Sequence, residues 1–599
     1  MSALALRLPK PVQERWSLLC LLAGFVLCAV SYSLIVPLWE APDEPEHFQY
    51  VRYLVQQGAI PLQLPTIQTD GNNEGKQPPL YYFLALPFVA GLDLHDADRI
   101  RLNPHAGWPG APDGTAAATH VLDEGWPYHG VFLAAHRVRL LSVLLGAMTV
   151  ALTYAVALAC TGRGRTALLA AALVALLPGF LFASATIDND TLLDTLATAL
   201  LLVVVTIDED NARWRALMFG LLSGLALLTK LDAITPVVVG LTAMALRLPG
   251  KRRKVVALGS MPTVPALAFW AWKVAAGERR LIGRPPQWPP SLPGIASPPD
   301  WTAPAQFARH FWTSLFGVFS WGSITLPVPL YILYSVVLLL GLVFALAAMR
   351  RPLVTLPPLR DVALLSCWPA AILAGMVAAN VLVSETRVGM DHARLFYPAL
   401  PAVATLVAFG WSQAAAAIPR VRWIAVLLLT AAGMLAIAIP WLVIRPVYAP
   451  PWPVSDAVPA TATPVRDARF VDSVALAGVD LPTAPVGAGQ GVFVTFYWEV
   501  QRPLASGMWL FVHVEGAGGQ RAAAFDGTPS SSTLPLAYWR QGDVVFEREV
   551  LTFHQDAQPG TYAVKAGWYD PKTGVRVPLT AGGTEAIAGQ VRVVAGTSG

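Results

Sequence analysis

The sequence predicts a polytopic α-helical membrane protein that ends in an all-β sandwich domain. Three observations predict it. Of 599 residues only 13% are charged and 55% are hydrophobic. A typical soluble domain is about 25% charged, so several soluble surfaces cannot be covered here, and mean hydropathy is +0.52. Second, apolar windows long enough for the roughly 20 residues of a bilayer-spanning helix recur along the first three quarters. Third, the pattern after about residue 446 changes to short alternating runs.

The windows fall at about 16–38, 133–160, 165–184, 190–207, 214–230, 233–248, 254–276, 328–349, 361–383, 395–415 and 421–444, giving about eleven spans. Arg7, Lys10 and Arg15 precede the first. By the positive-inside rule the N-terminus is cytoplasmic. Alternate connections then carry Arg163/Arg165, Arg213/Arg215, Lys251 to Lys254, Arg350/Arg351 and Arg420/Arg422, all on the same side. No small-residue cleavage site follows the first span, which reads as an uncleaved anchor. The expected location is a bacterial cytoplasmic membrane, with 39–132, 277–327 and the tail outside. The expected domains are 1–445 in the membrane, a Pro-rich linker over 446–464 and a sandwich over 465–599. Runs such as "GVFVTFYWEV", "MWLFVHVEG", "DVVFEREVLTF" and "GTYAVKAGWYD" between turn residues read as its strands.

A net charge of +4 leaves no nucleic-acid footprint. Gly and Pro are too sparse and aperiodic for a collagen-like chain, and the apolar content excludes disorder. Cys20, Cys28, Cys160 and Cys367 lie in apolar runs at no metal spacing and read as buried small hydrophobes.

The charges on the outer side are few, and they carry the functional reading. Asp43, Glu44, Glu46 and His47 follow the first span in "PDEPEHF", ahead of an interfacial amphipathic helix ended by Gly58. Asp43 with Glu46 also fits a capping box. Asp43, Glu44 and His47 share a helical face, which suits a divalent cation such as Mg or Mn; no close His pair or HExxH supports a protein-held metal. "KQPPLYYFLALP" leads through Gln77 and a Pro pair into a short apolar helix over 80–91 that carries Tyr81 and Tyr82; all three are candidate substrate contacts, and the tyrosines also fit headgroup anchors. Asp188, Asn189 and Asp190 sit at the mouth of the fourth span, as caps or as the wall of a polar cavity. Lys230 lies outside, against the positive-inside rule, within reach of Asp232, Asp190, Asp43 or a phosphate. Arg387, Asp391, His392 and Arg394 open the tenth span; arginine suits bidentate phosphate binding, and Asp391 equally suits a cap. Trp301, Trp312 and Trp321 fit either a sugar pocket or interface anchoring.

Together "PDEPEHF", "QPPLYYFLALP", "RVRLLSVLLGAMTV", "IDNDTLL", "GLALLTKLDA", "FGVFSWGSITLPVP" and "ARLFYPALP" resemble, in order over residues 30–445, the GT-C-fold glycosyltransferases that use polyprenyl-phosphate-linked sugars. Protein mannosyltransferases and the lipid A aminoarabinose transferase are of that class, and a branch of bacterial predicted membrane proteins is the nearest likeness. The resemblance implies an acidic catalytic residue at Asp43, with Glu44 beside it, and a second acidic position at Asp190. It implies that Lys230 and Arg394 hold the lipid phosphate. Many relatives have His-Pro-Pro where this chain has Gln77-Pro78-Pro79, and Gly-Arg-Tyr where it has Ala393-Arg394-Leu395, which leaves substrate choice open. The implied partners are a polyprenyl-phosphate sugar, membrane lipid and a glycan, lipid or protein acceptor. The tail resembles a β-sandwich fused to such proteins. A flippase or transporter of lipid-linked glycans would want charges at the bilayer midplane. A scaffold whose sandwich binds glycan would leave the outer carboxylates expendable.

Overall fold

The computed structural model describes residues 12–62, 74–94, 117–118, 120, 124–276, 304–350, 357–382, 392–448, 454–455, 457–471, 473–505, 507–529, 536 and 539–594. The chain divides into two compact units. One comprises Met1–Ala97, His129–Trp288 and Pro298–Val447; the other comprises Asp98–Tyr128, Pro289–Ser297 and Tyr448–Gly599.

The first unit is helical. Its long apolar helices are α1 (Val12–Ile35), α4 (Gly130–Thr161), α13 (Val328–Arg350), α14 (Leu359–Leu382), α15 (Leu400–Ala417) and α16 (Pro419–Ile439). Shorter ones are α2 (Glu44–Gln57), α3 (Leu80–Val89), α5 (Gly164–Ala175), α6 (Pro178–Ala183), α7 (Asp190–Thr206), α8 (Ala212–Leu227), α9 (Ile234–Arg247), α10 (Arg252–Ser260), α11 (Val264–Ala275), α12 (Pro304–Phe316) and α17 (Arg445–Tyr448). Among the described residues, seven stretches are long and apolar enough to cross a membrane, α10 and α11 counting as one through the turn at Met261–Thr263. This is the architecture of a multi-pass membrane protein. The other four predicted spans coincide with α5–α6, α7, α8 and α9, which are helical but shorter.

Proline explains two of the interruptions. Leu177 is extended (φ −79°, ψ 115°) ahead of Pro178, as the residue before a proline prefers, and this splits α5 from α6. Pro262 marks the α10–α11 turn. The amphipathic α2 buries Phe48, Tyr50, Val51 and Leu54, and ends where Gly58 takes φ 60° and donates its N–H to Leu54, a glycine C-cap. α13 and α15 pack closest at Gly341 and Gly410: a Cβ on Gly410 would sit 1.9 Å from the Gly341 carbonyl oxygen. Small residues permit such backbone approach. A hairpin of β1 (Val318–Phe319) and β2 (Ile324–Thr325) follows α12; neither α12 nor this hairpin was legible in the 277–327 loop. The cysteines correct their expectation: Cys160 is buried, but Cys20 and Cys367 are exposed and Cys28 is intermediate. Apolar helices of a membrane bundle turn their outer faces to lipid, so an apolar run does not imply burial in protein.

The second unit holds two five-stranded sheets. Its strands are β3 (Val454–Ser455), β4 (Thr463–Pro464), β5 (Val474–Asp480), β6 (Val486–Gly487), β7 (Gly491–Val500), β8 (Trp509–Glu515), β9 (Arg521–Gly527), β10 (Val544–Thr552), β11 (Gly560–Tyr569) and β12 (Ala586–Val594). The orders are β3-β10-β7-β5-β4 and β6-β12-β11-β8-β9; only β6 and β12 pair in parallel. The sheets close on a core in which Trp498 of β7 meets Trp568 of β11 at 5.0 Å, with Trp539 against Trp568. All four sequence runs read as strands are strands. β3 and β4 fall within the Pro-rich stretch.

Candidate functional site

Four connections of the helical unit converge at one end: the segment after α1, the loop between α6 and α7, the turn between α8 and α9, and the 3₁₀ turn Ala393–Ala399 leading into α15. The segment after α1 turns sharply. Trp39 and Asp43 both have positive φ, 72° and 63°. Left-handed backbone is uncommon for non-glycine residues, although aspartate tolerates it better than most, and such positions cluster at functional sites. Asp43 occupies the N-cap position of α2 but its side chain makes no cap bond. Its carboxylate pairs instead with the Arg394 guanidinium.

Glu44 goes the other way. It is fully buried and accepts from Arg139 at Nε (2.7 Å) and Nη2 (2.6 Å). It also accepts the backbone N–H of Trp39 and of Ile187, each at 3.0 Å. Arg139, also fully buried on α4, donates to the carbonyls of Ser33, Val36 and Pro37 at 2.6, 2.8 and 3.0 Å. One buried bidentate pair thus ties the end of α1, the Asp43 turn, α4 and the Asp188 loop together. The sequence reading passes over Arg139; its signal is a basic residue inside the predicted span 133–160, beside His136 and Arg137.

In the α6–α7 loop, Asp188 Oδ1 accepts the Asp190 N–H at 2.9 Å, and its Oδ2 lies 3.2 Å from Arg394 Nη1. Asn189 makes no cap bond; its Nδ2 donates to the Thr229 carbonyl at 3.1 Å and so fastens this loop to the Lys230 turn. Lys230 pairs with Asp190 and stands 3.9 Å from Asp232. Arg394 Nε lies 3.8 Å from Asp190 Oδ2, and Nη1 donates to the Pro42 carbonyl at 3.3 Å. Three carboxylates, Asp43, Asp188 and Asp190, therefore surround one guanidinium.

The electrostatics follow from burial and charge. Burial, then the Asp190 carboxylate, pushes the Asp188 carboxyl above its ordinary range, against Arg394, His47 and Lys230. For Lys230, burial alone would lower the ammonium, but Asp190, Asp232 and Asp188 more than offset it and hold it above the usual lysine range. His392 Nδ1 accepts the Arg394 backbone N–H at 3.2 Å, so that nitrogen carries no proton. Burial, Arg394 and His310 push His392 down to about 3.

His47 stands behind Asp188. Its Nε2 is 3.5 Å from Asp188 Oδ1, and its Nδ1 is 2.8 Å from the Tyr82 hydroxyl. Tyr82 stacks on Tyr50 at 3.7 Å, the Tyr81 hydroxyl meets Ser142 Oγ at 2.9 Å, and the Tyr50 hydroxyl donates to the Gln77 carbonyl at 3.3 Å. Tyr81 and Tyr82 are fully buried, which corrects their reading as headgroup anchors. They brace His47, and Gln77 contributes its backbone. The cation expected on Asp43, Glu44 and His47 does not fit either: the three side chains go to Arg394, to Arg139, and to Tyr82 with Asp188. No group of three or more His, Cys, Asp or Glu among the described residues is arranged to hold a metal. Arg387, Asp391 and Trp301 lie outside the described residues.

An apolar cavity of about 230 Å³ lies beside the 3₁₀ turn. Phe396, two residues after Arg394, lines it, with Phe311 and Trp312 of α12, Tyr334 of α13, Leu373 of α14 and Leu400. Trp312 is fixed there by a 2.8 Å bond to Ser335 Oγ.

Fold and site define a multi-pass membrane protein with a carboxylate–guanidinium cluster at one end of its bundle. Comparison with known proteins goes further. The profile of the family described as dolichyl-phosphate-mannose-protein mannosyltransferase matches residues 133–273, the part that holds Arg139, Asp188, Asp190 and Lys230. That match bears out the family resemblance over the stretch that holds three of the seven motifs, those beginning at Arg137, Ile187 and Gly224. The crystal structure of ArnT from Cupriavidus metallidurans bound to undecaprenyl phosphate is similar at TM-score 0.42 and 16% identity, over 70% of this chain and 65% of that one. No curated protein matches the chain in sequence.

Proposed function

We propose that this chain is an integral membrane glycosyltransferase. It moves a sugar from a polyprenyl-phosphate donor to an acceptor hydroxyl on a glycan, lipid or protein, on the outer face of a bacterial cytoplasmic membrane. One observation carries the reading most: Arg394 joins Asp43 to Asp188 and Asp190, two residues before Phe396, which lines an apolar cavity. A base and a phosphate-binding cation thus meet in one place, with apolar surface following in the same 3₁₀ turn.

Asp43 is the base. As the acceptor oxygen attacks the anomeric carbon, its proton passes to the Asp43 carboxylate. The bond from that carbon to the phosphate oxygen breaks, and its electron pair leaves with the polyprenyl phosphate. A positioned base typically contributes about 10²–10⁴-fold. The departing phosphate gains charge, which Arg394 and Lys230 stabilise as preorganised cations. A single displacement inverts the anomeric centre. Glu44 is excluded as base because two backbone N–H groups and Arg139 already engage its oxygens. Asp190 orients Lys230 and the acceptor, and His47 with Tyr82 steadies Asp188. The sandwich lies outside with the long loops.

The test is transfer by purified full-length protein offered polyprenyl monophosphate and diphosphate sugars. Wild type transfers from the monophosphate; Asp43→Asn, folded to the same helicity, does not. Undiminished transfer by Asp43→Asn refutes the assignment.

A further inference from the structure

The three nitrogens of Arg394 each face a carboxylate: Nη2 the Asp43 Oδ2, Nη1 the Asp188 Oδ2 and Nε the Asp190 Oδ2. Lys230 is likewise engaged by Asp190. Counted formally, with Asp232 3.9 Å from Lys230, four anions stand against two cations. A phosphate group cannot join this cluster as it is without facing like charge in a partly desolvated site, where repulsion is strong. One carboxylate must give way.

The packing decides which. Asp188 and Asp190 side chains are 7% and 6% exposed, and each is held a second time, Asp188 by the Asp190 N–H and Asp190 by Lys230. Asp43 and Arg394 are each 18% exposed. Asp43 also sits in a turn at φ 63°, so leaving Arg394 allows that backbone to relax. We propose that the donor phosphate displaces Asp43 from Arg394, so that Asp43 is disengaged to act as a base only after the donor has bound.

This inference rests on the function proposed above and adds an order to it. Before the donor arrives, the carboxylate lone pairs are committed to a guanidinium, and neither acceptor nor water meets an active base. After exchange, Asp43 no longer faces the Arg394 guanidinium and has gained an anionic neighbour. Both changes strengthen it as a proton acceptor. Donor precedes acceptor.

The experiment measures binding of undecaprenyl phosphate to the full-length protein in nanodiscs. The proteins compared are wild type, Asp43→Asn, Arg394→Ala and the double variant. Competition predicts that Asp43→Asn binds the lipid more tightly, roughly two- to fivefold, the worth of a charge pair at a partly exposed site. It also predicts that Arg394→Ala binds more weakly and that Asp43→Asn brings no gain in the Arg394→Ala background. Unchanged or weaker binding by Asp43→Asn overturns the competition while leaving the glycosyltransferase reading in place. An equal gain in both backgrounds does the same, because the effect would then be general charge removal. Absence of lipid binding by wild type, or full affinity in Arg394→Ala, overturns both.

Discussion

Arg139→Met removes the clamp beneath the site and keeps a flexible apolar side chain of similar length. The Glu44 carboxylate would be left with the Trp39 and Ile187 N–H groups, and the carbonyls of Ser33, Val36 and Pro37 would lose their donor. Breaking a fully buried ion pair from one side costs about 3–5 kcal/mol, because the remaining charge is stranded. Each stranded carbonyl adds up to about 1 kcal/mol. The expected loss is therefore about 3–8 kcal/mol, a large share of a typical folding free energy of roughly 5–15 kcal/mol. Arg139→Met with Glu44→Gln leaves no buried charge, and most of the loss returns. The assay is a denaturant titration of the detergent-solubilised proteins followed by helical circular dichroism. A single Arg139→Met variant within about 1 kcal/mol of wild type refutes the reasoning, since that is the worth of an exposed pair. So does additivity of Arg139→Met and Glu44→Gln, because residues in one network must couple.

Two further outcomes concern packing and pH. Gly410→Ala should destabilise by about 1–3 kcal/mol through overpacking, because its Cβ meets the backbone of Gly341 and Ala345 at 1.9 and 2.6 Å; Gly433→Ala, with open space around it, should not. Thermal midpoints in one detergent compare the two. His392 falls from its ordinary 6.5 to about 3 on folding. Between those values the unfolded chain binds a proton that the folded chain does not, so stability falls as pH falls through this window. His392→Asn, which keeps an acceptor for the Arg394 N–H, should lose less stability from pH 6.5 to 3 than wild type does.

The sequence made the membrane class plain because span length and charge scarcity are imposed by the bilayer itself. It also named most of the cluster, since a charge on the side with few of them stands out. Pairing was not legible. Asp43 with Glu46 has the spacing of a capping box, yet the cap is unused and the carboxylate reaches across 351 residues to Arg394. Glu44 beside it looked equivalent, and only the fold reveals that Arg139 consumes it. Tyr81 and Tyr82 were misplaced because hydropathy cannot tell a headgroup anchor from a buried brace. α12 and its hairpin were hidden by the Trp and Pro content of their loop.

The lengths of three helices bear on the membrane around the protein. α7, α8 and α9 have 17, 16 and 14 residues, or ~25, ~24 and ~21 Å at 1.5 Å per residue, against a hydrocarbon core of about 30 Å. At their far ends Lys251 donates to the Glu209 carbonyl and Arg247 pairs with Asp361. Each helix therefore falls some ~5–9 Å short of the core, and Asp190 and Lys230 lie at or just beyond their ends. A bilayer meets such a mismatch by thinning locally. On the proposed function, the donor phosphate has to reach Arg394 beside the ends of helices shorter than the hydrocarbon core. The fit between protein and bilayer thickness becomes part of substrate capture, and thicker membranes should slow the protein without any change in its side chains.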